Sequence, residues 1–198
     1  LCDWSSDVCS SDLKERIIDQ AFKLMLQRGL NGFSYRDISG PLGVKNAAIH
    51  YHFPTKSDLI KALIHENHET MRKGTAGFMA YGGEARPQLE GLFAFTLHQC
   101  ECGRPICLGG ALAIDYDELE DEIKNANNHF LNDSLKWLTK VMEVGREQGE
   151  FTYSGDPKSK AMSILAMIQG ARQMARIHSN EYLEMIFEQI RADVGIVS

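Results

Sequence analysis

The stretch FSYRDISGPLGVKNAAIHYHFPTKSDLIKALI, residues 33–64, decides the fold of the N-terminal part of this chain. Ser34 is a favourable N-cap, and the GPLG segment at 40–43 breaks helices, so a short helix is predicted over about 34–39. A second short helix is predicted over about 45–52, because the proline that follows disfavours further helix. Two short helices joined by a tight turn are typical of a helix-turn-helix.

The second of these helices presents small and polar side chains around the inward positions Val44 and Ile49. A helix about 10–12 Å across fits the major groove of B-DNA, which is about 12 Å wide. Small residues allow close approach, amide and ammonium groups bond base edges, and donors near the helix end meet phosphates. We therefore expect base contacts from Lys45, Asn46, Ala47 and Ala48 and phosphate contacts from Ser34, Tyr51, His52 and Lys56. A helical hairpin that only packs is the alternative.

The charge of the chain is unevenly distributed. Residues 14–65 carry eight lysines and arginines against four aspartates and glutamates, whereas the whole chain has a net charge of -6. Phosphate binding needs local positive potential and not a basic whole chain. A basic N-terminal module on an acidic body therefore remains compatible with a double-stranded DNA partner, although chance clustering of charge is the alternative.

The same N-terminal segment resembles the TetR/AcrR family of bacterial one-component regulators. Gly43 and Val44, the small and aliphatic positions of the second helix, and the HFPTK element at 52–56 carry the resemblance. HFPTK makes it specific, because a generic helix-turn-helix lacks that element. The resemblance covers about residues 14–64. It implies a three-helix DNA-binding module, a helical ligand-binding body, homodimerisation through the last two helices, and repression relieved by a small molecule.

His50 departs from the family's pattern, in which a tyrosine usually precedes Tyr51. The family's tyrosine hydroxyl is expected at a phosphate. A histidine can take its place and binds a phosphate more strongly when protonated. We therefore add His50 to the DNA-binding residues and expect operator affinity to rise as the pH falls.

Apolar residues recur at helical spacing through the rest of the chain, and no alternating run is long enough to predict a sheet. We expect an all-α fold of about nine helices, with a helix-turn-helix domain at 14–60 and a ligand-binding and dimerisation body at 61–198. Residues 1–13, LCDWSSDVCSSDL, show no period and resemble translated vector sequence, so they are expected to be a non-native or disordered tail. A native flexible arm is the alternative.

The last two predicted helices, about 158–179 and 180–194, carry broad apolar faces with small residues that suit a homodimeric four-helix bundle. A pocket for a small-molecule effector is expected among the helices that precede them. Its candidate lining residues are Phe78, Phe93, Leu97, Cys107, Phe130, Leu131, Trp137 and Met167. Each of them is also compatible with ordinary core packing.

Three cysteines, Cys100, Cys102 and Cys107, fall within eight residues. Clustered thiols bind soft metals or sense oxidants and electrophiles, whereas buried structural cysteines are the alternative. No histidine lies within the cluster, which disfavours zinc, so neither a metal nor a cofactor is predicted. A thiol-reactive signal therefore stands beside a small molecule as the releasing signal. The alternative function is a helical thiol or metal sensor whose output is not DNA binding.

The sequence disfavours an enzyme or a membrane protein. It lacks the HExxH, GxSxG and phosphate-loop motifs, and His98, His129 and His178 are scattered along it. The acidic run, residues 115–122, is expected to be a solvated helix start. No stretch approaches the roughly 20 apolar residues that span a bilayer, and no Lys/Arg-led apolar segment opens the chain. We therefore expect a cytoplasmic regulator.

Overall fold

The computed structural model describes residues 13–79 and 84–196, with only the backbone for 75–79. This part of the chain is all-α, as predicted. Its nine α-helices are α1 (Leu13–Arg28), α2 (Tyr35–Leu42), α3 (Asn46–His52), α4 (Lys56–Met79), α5 (Ala85–Glu101), α6 (Leu108–Ile114), α7 (Asp121–Glu147), α8 (Pro157–Ile177) and α9 (Glu181–Asp193). Two 3-10 turns lie at Leu30–Gly32 and Tyr116–Glu118. The predicted tail at 1–13 lies outside the described residues except for Leu13, which begins α1.

Helix α2 is longer than predicted, because it continues through Pro41 to Leu42. The predicted break at 40–41 was wrong. Proline in the last turn of a helix removes a single backbone donor, which a short helix tolerates near its end. The residue that ends α2 is Gly43, whose φ of 67° is left-handed and whose N–H points to the carbonyls of Ser39 and Gly40. Glycine adopts this conformation without steric cost, which explains its place at the end of α2.

One hydrophobic core joins the helix-turn-helix to the middle of the chain. Helices α1 to α4 contribute side chains that are fully buried, and α6 and α7 complete the same cluster. Its most buried members are Ile17, Met25, Ile38, Ile49, Leu59, Leu63 and Leu112. Helices α6 and α7 therefore pack directly against the helix-turn-helix.

A second core lies among α5, α7, α8 and α9, where Leu89, Leu138 and Leu183 are fully buried. Helix α4 contributes to the first core and also packs against α5 and α7, so it links the two parts of the molecule. In the described ranges, 13–79 and 84–196, no helix has the length and apolar character needed to cross a membrane.

The acidic run, residues 115–122, is exposed at all of its carboxylate residues except the half-buried Asp115, as expected for a solvated helix start, and it also contacts the N-terminal module. Its carboxylates accept hydrogen bonds from the 3-10 turn after α1 and from the first turns of α4. These bonds join Leu30 to Asp115, Asn31 to Glu118, Ser57 to Glu120 and Lys61 to Glu122. The hydrogen bond from Asn31 to Glu118 measures 2.7 Å, and the one from Lys61 to Glu122 measures 2.9 Å. The run therefore fixes the helix-turn-helix on the body.

Candidate nucleic-acid interface and ligand cavity

Helix α3 is held by one buried residue and exposes most of its remaining surface. Ile49 is fully buried, whereas the side chain of Tyr51 is 83% exposed. The exposed surface also includes Lys45, Asn46, Ala47 and His50, with Ala48 and His52 at its edges. Seven of the nine predicted DNA-binding residues therefore lie on the exposed or half-buried surface on and beside α3.

Tyr35, which the sequence reasoning missed, fixes the position of that face. Its buried hydroxyl lies 2.8 Å from the carbonyl oxygen of Phe53 and 2.6 Å from that of Thr55. Burial, and secondarily the charge of Asp58, raises the pKa of Tyr35 to about 12. The neutral hydroxyl thus ties α2 to the segment between α3 and α4. The signal available in the sequence was an aromatic residue directly after the N-cap of α2.

Asn46 links the two short helices across the turn. Its Oδ1 atom accepts a hydrogen bond from the hydroxyl of Ser39, which is buried on α2. Within the described residues its Nδ2 group has no bonded partner. Asn46 therefore uses its acceptor to orient α3 and keeps its donor for the outer surface.

Ser34 and Lys56 already have partners inside the protein. The backbone N–H and the hydroxyl of Ser34 donate to Asp37 at 2.9 and 2.7 Å, which caps α2 and holds the pKa of that carboxyl at about 2. The Lys56 ammonium donates to the carbonyl of Phe33 at 2.7 Å and lies 4.4 Å from the centre of its ring. Burial lowers the pKa of Lys56. Both residues brace the start of α2 in the free protein.

His50 lies on the exposed side of α3, against Tyr35 and the end of the helix. Its Nδ1 is 3.3 Å from the carbonyl oxygen of Pro54, and its ring centre is 4.6 Å from that of Tyr35. A carbonyl only accepts, so this contact requires the proton on Nδ1. The neutral ring then presents a lone pair at Nε2, and only the protonated ring can donate to a phosphate.

A cavity of about 380 Å³ lies among α4, α5, α7 and α8 and reaches α1 and the α5–α6 connection. Of the predicted lining residues it includes Cys107, Phe130 and Leu131. Phe93, Leu97, Trp137 and Met167 do not line it, because they pack in or against the second core. The side chain of Phe78 lies outside the described residues.

The rotation of each helix about its axis decides which of its side chains face the cavity. On α5, Leu92, Thr96 and Gln99 follow one another at intervals of four and three residues and face the cavity. Phe93 is rotated by one residue and stacks on Phe187 of α9, with ring centres 4.5 Å apart. The sequence does not show how each helix is rotated, so it did not predict several of the lining residues. They include Met71, Phe95, Gln99, Arg104, Gln169 and Arg172.

The three clustered cysteines occupy different surroundings. Cys107 is the N-cap of α6 and lines the cavity. Cys100 is half-buried, and burial raises the pKa of its thiol, against the lowering influence of Arg172. Cys102 is exposed, with Sγ 3.5 Å from Nε2 of His98. A histidine does lie beside the cluster, because it precedes Cys102 by one helical turn. No group of three metal-binding side chains occurs in the described part.

Two family models match this chain. Residues 17–63 match "Bacterial regulatory proteins, tetR family", and residues 87–190 match "Tetracyclin repressor-like, C-terminal domain". Among relatives, the HTH-type transcriptional repressor NemR of Escherichia coli (strain K12) is 23% identical over 184 residues, covering 91% of this chain and 92% of NemR.

Solved structures agree with these matches over nearly the whole chain. A TetR-family regulator from Agrobacterium tumefaciens has a TM-score of 0.81 at 28% identity and covers 89% of this chain and 96% of its own. A TetR regulator from Legionella pneumophila has a TM-score of 0.83 at 27% identity, covering 94% and 99%. The chain therefore belongs to the tetR family of bacterial regulatory proteins, and it is a DNA-binding transcriptional regulator rather than an enzyme.

Proposed function

We propose that this regulator is a cytoplasmic, homodimeric repressor that leaves its operator when a small molecule fills the cavity. The observation that carries the proposal is the exposed face of α3, held by the fully buried Ile49. The name of the relative NemR, a transcriptional repressor, supports repression over activation. The proposed division is a DNA-binding domain at 14–60 and a ligand-binding and dimerisation domain at 61–198.

On the operator, Lys45, Asn46, Ala47 and Ala48 are proposed to contact bases in the major groove. His50, Tyr51 and His52 lie toward the end of α3 and are proposed to contact phosphates, which fix register without selecting sequence. Ser34 and Lys56 stand at the edge of this surface. Their proposed phosphate contacts require them to exchange the protein partners they now have for the DNA backbone.

The exposed side of α8 and α9 supports the proposed homodimer. Met162, Met174 and Ile177 of α8 are 52, 44 and 73% exposed, and Met185 of α9 is 67% exposed. Gly170 lies between them, and a Cβ added there meets no atom within 4 Å outside the neighbouring residues and backbone of its own helix. Apolar side chains flanking a small residue suit close helix packing between two copies. A dimer presents two α3 helices to a near-palindromic operator about one helical turn apart, or slightly more.

The position of the cavity supports the proposed control of α3 by a ligand. Phe22 of α1 and Met71 of α4 form part of its wall. Helix α4 continues without interruption from the cavity to Lys56, next to the recognition helix. A ligand that displaces α4 therefore changes the orientation of α3 and, in a dimer, the separation of the two α3 helices. Because Cys107 lies in the same wall, a thiol-reactive compound is the alternative releasing signal in this proposal.

The test is binding of the full chain to a labelled duplex from its own promoter, followed by fluorescence anisotropy. Affinity is expected to fall steeply between about 50 and 200 mM salt, because phosphate contacts release counterions. A scrambled duplex of equal length is the control and should bind more weakly. Equal affinity for both duplexes, or affinity independent of salt, contradicts the proposal and favours a sensor whose output is not DNA binding.

A further inference from the structure

The cavity wall is positively charged although the body around it is acidic. Arg104 and Arg172 line the cavity, and no aspartate or glutamate does so in the part of the chain that the structure describes. The remaining polar lining groups are neutral amides, hydroxyls and one thiol. An unbalanced positive wall favours an anionic occupant.

The buried guanidinium of Arg172 is the positive charge to which we expect the anion to bind. Arg172 is only 9% exposed. Its Nε donates to the carbonyl of Pro105 at 3.2 Å, its Nη2 donates to that of Arg104 at 2.6 Å, and its side chain also makes a hydrogen bond with Cys100. No carboxylate pairs with it among the described residues. A buried guanidinium ordinarily pairs with an anion, because burying an unpaired charge is costly.

The neighbouring groups do not neutralise Arg172. Arg104 has its own counter-ion, since its Nη2 lies 3.3 Å from Asp19 of α1. Cys100 lies near Arg172, but burial raises the pKa of its thiol and so favours the neutral form. The charge of Arg172 therefore remains available to a molecule in the cavity.

The rest of the wall is mostly apolar. Phe22, Phe95, Phe130, Met71 and Leu135 supply aromatic and aliphatic surface, and Gln99 and Gln169 supply amide groups. We propose that the cavity binds an amphipathic carboxylate, with the carboxylate on the guanidinium of Arg172 and the apolar body against the aromatic side chains. The inference rests on the proposed function only in taking this cavity as the effector site.

The same contacts connect the bound carboxylate to the DNA-binding module. The carbonyls that Arg172 holds belong to the α5–α6 connection. The side chain of Arg104 in that connection stacks on Phe22 of α1, with its guanidinium carbon 4.4 Å from the ring centre. A carboxylate that draws Arg172 into the cavity therefore shifts the segment that packs on α1.

The test compares two carboxylates with their uncharged amides, using calorimetry on the full chain without DNA. Octanoate against octanamide represents an aliphatic body, and 2-naphthoate against 2-naphthamide represents an aromatic one. At least one carboxylate should bind about tenfold or more tightly than its amide, because a charge-assisted bidentate bond is lost in the amide. Equal binding of acid and amide in both pairs, or no binding by any of the four compounds, overturns the proposal.

Substitutions of Arg172 and Arg176 test which arginine causes the preference for the carboxylate over its amide. Arg172→Gln should abolish the preference for the carboxylate, and Arg172→Lys, which keeps the charge, should retain part of it. Arg176→Gln removes the same charge one turn later on the exposed side of α8 and should leave the preference intact. A preference that survives in Arg172→Gln, or that Arg176→Gln removes equally, assigns it to another site.

Thermal unfolding of each variant checks that the bonds from Arg172 to the connection are not needed for folding. The comparison of each carboxylate with its amide in the unmodified chain does not depend on whether any variant folds. The assay contains no DNA, so a chain that binds its promoter but shows no carboxylate preference contradicts only this inference. A chain that prefers the carboxylate but does not bind its promoter contradicts only the proposed function.

Discussion

Replacing Tyr35 with phenylalanine tests whether one hydroxyl group holds the recognition helix in place. The change keeps the aromatic ring and opens no cavity, but it removes the donor to the carbonyls of Phe53 and Thr55. Leaving buried or partly buried acceptors without a partner costs about 1–3 kcal/mol. For a chain of this length each kcal/mol lowers the melting temperature by roughly 2–4 °C.

The assay is urea unfolding followed by circular dichroism at a fixed protein concentration, since dimerisation makes stability depend on concentration. Tyr51→Phe is the matched control. It makes the same change on a side chain that is 83% exposed, and it should alter the free energy of unfolding by less than about 0.5 kcal/mol. Tyr35→Phe should also weaken operator binding, because the end of α3 loses its link to α2.

The pH dependence separates the hydroxyl from other effects of the substitution. The pKa of Tyr35 is raised from 10.0 to about 12 in the folded protein, so folding favours its neutral form. That contribution is fully present below about pH 10 and is lost as the pH rises toward 12. The stability difference between the unmodified chain and Tyr35→Phe should therefore shrink over this interval. Equal stability at pH 7, or a difference that stays constant from pH 9 to 12, would refute the reasoning.

Three further predictions concern other parts of the molecule. Gly170→Glu should yield monomers in sedimentation experiments without lowering the helix content, whereas Asn125→Glu, at an exposed position of α7, should stay dimeric. If Gly170→Glu is also dimeric, the interface lies elsewhere. Asp37→Asn should melt at a lower temperature than the unmodified chain at pH 7. The difference in melting temperature should disappear between pH 4 and 2, because protonation of Asp37, whose pKa is about 2, removes the same stabilisation from the unmodified chain. His50→Phe should weaken binding to the promoter and to the scrambled duplex alike, because a phosphate contact fixes register without selecting sequence; a loss confined to the promoter would assign His50 to a base.

The all-α fold and the recognition helix were predictable because their signals are local. Helical periodicity marked the long helices, and the boundaries of α3 and the positive φ of Gly43 follow from turn chemistry. The end of α2 was misplaced because Pro41 breaks helices on average, yet in a last turn it costs only one donor.

The interior contacts were not predictable in the same way, because they depend on which helices meet. Phe93 and Leu92 are adjacent and both buried, but only the position of α9 decides that Phe93 packs in the core while Leu92 lines the cavity. Likewise, the acidic residues at 115–122 are a solvated helix start as predicted, but their hydrogen bonds with Leu30 and Lys61 depend on how the fold brings these segments together.

The most direct test of DNA recognition by α3 compares Asn46→Asp with Asn125→Asp on the promoter duplex and on its scrambled control. Asn46→Asp keeps the Oδ1 atom that accepts from Ser39, replaces the outward donor by an acceptor and adds a negative charge, and Asn125→Asp adds the same charge on α7. Asn46→Asp should lose about 1–3 kcal/mol of the preference for the promoter over the scrambled duplex, and Asn125→Asp should lose none. An unchanged preference in Asn46→Asp would contradict base recognition by this helix.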